Sequence, residues 1–138
     1  MTALGDFSAG DVLTAADMNA IGNRLTWTPT IGFDSGSTTT IIYLAEYAIC
    51  NDIIIWQAVV GWNSAGTASG AMSITLPVAP STSYLFVGSG REGATTGKTF
   101  GVFTDAAAST AFCRYYDNSA IAPVSVAAMR MSGNYLTA

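Results

Sequence analysis

Thr38-Thr39-Thr40-Ile41-Ile42-Tyr43-Leu44-Ala45-Glu46-Tyr47-Ala48-Ile49, the junction Cys50-Asn51-Asp52, and Ile53-Ile54-Ile55-Trp56-Gln57-Ala58-Val59-Val60-Gly61-Trp62 decide the fold. Both runs are long and rich in β-branched and aromatic residues, which suit a pleated, half-buried surface. The junction is short enough for a hairpin, so the pair reads as two long antiparallel strands. Glu46 alternates with Ala45 and Tyr47 and is expected to face the opposite way.

Strand signals continue on both sides. Trp27-Thr28-Pro29-Thr30-Ile31-Gly32-Phe33 reads as an edge strand, because Pro29 has no N–H for a central ladder. After a polar loop, Asn63–Gly70, Met72, Ile74 and Leu76 alternate with Ser73 and Thr75. Pro77 and Pro80 bracket a turn, Tyr84–Val87 is a short strand, and Gly88–Gly97 reads as a flexible loop. Lys98–Thr104, Thr110–Tyr116 and a last stretch from Pro123 to Leu136 complete the pattern. About seven to nine strands with regular turn signals predict an all-β fold, an antiparallel β-sandwich of jelly-roll or Greek-key type. No amphipathic helix after Leu25 supports a parallel alternative.

The N-terminal part differs. Thr14 is placed as a helix N-cap, Asp17 stands three residues on, and Leu13 with Met18 occupies the positions of a hydrophobic staple. Met18, Ile21 and Leu25 then share one face of a two- to three-turn helix, which is too short to stand alone. Two parts follow: an arm and short helix at 1–26, for attachment or oligomer contact, and a β-sandwich at 27–138.

Composition bounds the chemistry. Only 10% of the 138 residues are charged and half are apolar, against roughly 25% charged in a typical soluble domain. Disorder is excluded, and a surface so poor in charge is expected to end in an interface. Five basic residues (Arg24, Arg91, Lys98, Arg114, Arg130) and a net charge of −4 do not make a phosphate-tracking stripe, so no direct nucleic-acid binding is expected. The most apolar run is far too short for a membrane helix, and Met1–Gly10 lacks the features of a signal peptide.

With no histidine, the usual general base and metal ligand are missing. Cys50 and Cys113 are expected to be reduced, small apolar core groups, so neither a zinc nor an iron–sulfur site is expected, and no cofactor. Paired carboxylates for glycoside hydrolysis are not evident, since Asp and Glu cluster at turns and only Glu46 falls in a strand. Asp105 with Asp117 lacks the pattern of a calcium loop. Gly88-Ser89-Gly90-Arg91-Glu92-Gly93 mimics a phosphate loop but precedes no helix and reads as a surface loop. Lys98, the single lysine, has no partner for nucleophilic catalysis. The chain therefore reads as non-enzymatic. Trp56, Trp62, Tyr43, Tyr47, Tyr115 and Tyr116 fill a core or seam, or form a sugar-stacking face, with Trp62, Tyr115 and Tyr116 the candidates for exposure. Adjacent Tyr115 and Tyr116 must point to opposite faces.

Gly10-Asp11-Val12-Leu13-Thr14-Ala15-Ala16-Asp17-Met18-Asn19-Ala20-Ile21 resembles the opening of many bacteriophage virion proteins, among them tail fibres, minor tail proteins and head decoration proteins. Trp27-Thr28-Pro29-Thr30, Leu76-Pro77-Val78-Ala79 and Ser132-Gly133-Asn134-Tyr135 extend the resemblance. It implies a β-rich module, a homotrimer, fastened to the particle by its N-terminal segment. Leu4, Phe7, Val12, Leu13, Met18 and Ile21 are the expected anchors, and the partners are other copies of the chain and the major capsid protein or another virion protein. The expected role is a capsid decoration protein on the outside of the phage head, stabilising the shell. The alternative is a receptor- or glycan-binding tip, or a minor tail or head-fibre protein.

Overall fold

The structure, a computed structural model, describes residues 23–81, 86–104, 109–121, 123–125 and 127–137. The expected anchors Leu4, Phe7, Val12, Leu13, Met18 and Ile21, and the helix start at Thr14, lie outside the described residues. Nine strands follow in order: β1 (Leu25–Thr26), β2 (Ile31–Ser35), β3 (Ile41–Cys50), β4 (Ile53–Trp62), β5 (Ser69–Thr75), β6 (Phe86–Glu92), β7 (Thr99–Phe103), β8 (Thr110–Tyr115) and β9 (Ala127–Leu136). All pair antiparallel in one sheet, ordered β1-β3-β4-β9-β6-β7-β8-β5-β2 and curled into a half-barrel. The antiparallel all-β expectation holds. The curl brings the two halves of the sheet face to face, and Phe33 on β2 meets the ring of Trp62 on β4 edge-on at 5.6 Å.

The hairpin that decides the fold is present. β3 and β4 pair from Ile41–Gly61 to Cys50–Ile53, with Asn51 in the left-handed region (φ 53°) at the turn. Alternation along β4 is clean: Ile54, Trp56, Ala58 and Val60 are buried, while Ile53, Ile55 and Gln57 are exposed. The inner face forms one core with Met72, Ile74, Val87, Phe100, Val102, Cys113, Met129 and Met131.

Three indoles stitch this core. Each ring is buried or half-buried, and each N–H finds a backbone carbonyl far away in sequence: Trp27 to Thr75 (3.2 Å), Trp56 to Val87 (2.9 Å) and Trp62 to Val124 (2.8 Å). A buried donor left unpaired would cost about 1–3 kcal/mol, so these bonds fix which segment covers which.

The strip Trp27–Thr30 carries the chain from one edge of the sheet to the other. Trp27 donates its backbone N–H to Ala45 on the β3 side, and Thr30 bonds Thr75 on β5. The edge strand itself is therefore Ile31–Ser35, with Pro29 in the crossing.

Several expectations need correction. Leu25, expected on the apolar face of a helix, lies in β1 opposite Tyr47. Gly88–Glu92, expected in a flexible surface loop, is the body of β6 and pairs with both β7 and β9. Its glycines serve packing: a Cβ at Gly88 would sit 2.8 Å from the Trp56 ring, and one at Gly90 2.5 Å from the Phe100 ring. The loop shrinks to the turn between β6 and β7. Cys50, expected in the core, is exposed at the hairpin end, while Cys113 is buried as expected, and both thiols are free. Burial pushes the Cys113 thiol up to about 12. Trp62, expected among the exposed aromatics, is 1% exposed, because it shares the inward parity of Trp56.

Candidate functional site: a trough across the outer face

Sheet register builds a row of residues that no single segment of sequence contains. On the outer face Glu46 stands opposite Gln57, Gln57 opposite Ser132, Ser132 opposite Ser89, Ser89 opposite Gly101 and Gly101 opposite Arg114. Neighbouring strands lie about 4.8 Å apart, so the part from Gln57 to Arg114 spans roughly 19 Å. Its middle is floored by short side chains. Three hollows of about 460, 470 and 450 Å³ follow one another along it, sharing Gln57 and Ser132 at one junction and Ser89 and Gly90 at the other.

The walls differ in chemistry. One pleat to one side, Arg91 and Arg130 stand directly opposite each other, and both are exposed. On the other side Phe86, Phe103 and Phe112 form a registered row, and the Phe86 ring lies over Gly101. Phe86 is 66% exposed. Arg24 closes one end through an ion pair with Glu46 at 3.1 Å, and Gln57 donates to the same carboxylate oxygen. Arg114 closes the other, donating to the Asn118 carbonyl beside Tyr116, which is 87% exposed.

Four of the five basic residues thus line the trough, and among the described residues Glu46 is the single carboxylate in its walls. A chain with a net charge of −4 carries a locally positive outer face. Arg91 is held by donating Nε to the Gly97 carbonyl. Among the described residues the Arg24–Glu46 pair is the one ion pair.

Beneath this face, on the inward side at the end of β6, Glu92 is fully buried. Its carboxylate accepts the backbone N–H groups of Ala94, Thr95 and Thr96, the Thr96 hydroxyl and, at 3.4 Å, the N–H groups of Gly97 and Ala128. Burial alone would raise its pKa, but these donors outweigh burial and hold it at about 2. The carboxylate organises the turn that places Arg91.

The aromatic residues singled out in the sequence separate instead of forming one stacking face. Trp56 and Trp62 are in the core, and Tyr47 packs edge-on against Trp27 at 6.0 Å. Tyr115 packs on the core with Lys98 Nζ 4.9 Å from its ring centre, while Tyr116 turns outward, as their adjacency requires. Phe86 escapes sequence reading, because Tyr84–Val87 gives no sign of which side faces out. Among the described residues no three His, Cys, Asp or Glu side chains gather as metal ligands.

A second outer feature lies at the β3–β4 turn. Cys50, Ile53 and Leu136 are register neighbours there, with Ile55 one pleat in, and the three apolar side chains are 42–54% exposed. β1 runs antiparallel to β3 with Leu25 opposite Tyr47, so the chain reaches β1 from this same end. Compared with known proteins, the chain matches no family model, no curated protein and no solved structure.

Proposed function

We propose that the chain is a non-enzymatic structural protein of a bacteriophage particle: a decoration protein that binds the outside of the head shell as an oligomer and stabilises it. The observation that carries this reading is a coincidence at one pole. β1, the first described strand, starts at Leu25 opposite Tyr47, on the side of β3 towards the end where Ile53, Ile55 and Leu136 expose apolar surface. Covering each of those side chains contributes about 1.5–3 kcal/mol when complete. Few charges elsewhere oppose such docking, and the resemblance of Gly10–Ile21 to phage virion proteins points the same way.

The test is co-sedimentation of the purified chain with particles stripped of it. The full chain is expected to bind and to raise the temperature at which DNA escapes from the head. The chain lacking residues 1–22 is expected to keep its β signature and lose binding. Failure of the full chain to bind overturns the proposal.

The trough favours a second reading, a receptor- or glycan-binding element of a tail or head fibre. Its exposed Phe86 and Tyr116 beside hydroxyl, amide and guanidinium groups are groups that recognise a ligand, and the attachment pole leaves them open.

A further inference from the structure

We propose that the trough binds an acidic polysaccharide, laid across β4, β9, β6, β7 and β8 with its anionic groups on Arg91 and Arg130. This deepens the second reading, rests on the trough being a ligand site, and does not depend on where the chain sits on a particle.

The arginine pair comes first. Like charges directly opposite in a sheet are destabilising, yet Arg91 and Arg130 face each other with no carboxylate partner among the described residues. The Arg91 guanidinium is braced by its bond to Gly97, and the turn beneath it is organised by a buried carboxylate. Two exposed guanidinium groups on directly paired residues suit carboxylate or sulfate groups, which each can grip bidentately.

The floor and one wall add to this. Gln57, Ser132 and Ser89 present neutral amide and hydroxyl groups at successive strand spacings, as a chain of sugar hydroxyls requires. Phe86, exposed beside the glycine floor at Gly101, offers a ring to the C–H face of a pyranose.

Other ligands fit less well. A duplex nucleic acid would meet a molecule of net charge −4 with five basic residues in all, too few to track phosphates. A protein surface usually needs about 800 Å² per partner, whereas the registered row from Gln57 to Arg114 is a single file of residues roughly 19 Å long, the footprint of one extended chain.

The test is calorimetric titration of the full chain with four probes: oligogalacturonate, a sulfated heparin-derived oligosaccharide, a neutral malto-oligosaccharide of equal length, and polyglutamate. At least one acidic oligosaccharide is expected to bind about tenfold or more tightly than the neutral one, and more weakly as salt rises. Which of the two prevails tells carboxylate from sulfate. Arg91→Gln with Arg130→Gln is expected to weaken that binding at least about tenfold, and Phe86→Ala several-fold, with the thermal melt of each variant confirming that the sheet persists.

Binding of neither acidic sugar, or binding indifferent to the arginine substitutions, overturns the proposal. Equal affinity for the neutral sugar overturns it while leaving the glycan-binding reading standing. Polyglutamate binding as tightly as the sugars overturns it in favour of an acidic peptide.

Discussion

Glu92 is a buried carboxylate kept ionised by the amides of a single turn. Its carboxyl is held at about 2 against an ordinary 4.5, so the folded state binds this proton less readily than the unfolded chain. The stabilisation is complete above about pH 4.5 and is lost as the pH falls towards 2; its size is on the order of 3 kcal/mol. Denaturant melts across that range are expected to show the loss, and Glu92→Gln to be destabilised at pH 7 and to lose less stability than the parent chain across the same window. Gly133 makes a separate prediction. A Cβ there would lie 2.0 Å from the Val87 carbonyl oxygen, so Gly133→Ala is expected to cost about 1–3 kcal/mol or more, read as a lowered melting temperature. Neither role is legible in the sequence. Glu92 looks like one more turn carboxylate there, because its value comes from amides that only the finished turn converges upon.

At the scale of elements, the β3–β4 hairpin is legible in the sequence and β6 is not. Runs such as Ile53–Trp62 declare themselves through branched and aromatic side chains, whereas Gly88-Ser89-Gly90 carries the composition of a loop. Those glycines are strand residues because the rings of Trp56 and Phe100 occupy the space their side chains would need. The turn of the hairpin is testable. Asn51 holds a left-handed backbone at φ 53°, a conformation that costs a β-branched residue roughly 1–2 kcal/mol. Asn51→Gly is expected to be tolerated, and Asn51→Val to lower stability by about that amount in equilibrium unfolding. The trough lies beyond sequence reading altogether: Gln57, Ser132, Ser89, Gly101 and Arg114 come from five strands, and only register makes them neighbours.

For the whole molecule, the proposed labour is divided between two regions of one sheet. The end bearing Ile53, Ile55, Leu136 and the approach to β1 fastens the chain; the outer face with its arginines stays open. Ile55→Asp with Leu136→Asp is expected to lower the melting temperature only modestly, since about half of each side chain already meets solvent, but to abolish self-association in sedimentation and binding to particles. The most direct measurement is an electron-microscopy reconstruction of phage particles purified from cells that make this chain. Copies are expected outside the head shell, with the β3–β4 turn against the shell and the arginine face towards solution. Purified particles without the chain, or with the arginine face buried against the shell, would contradict the proposed role.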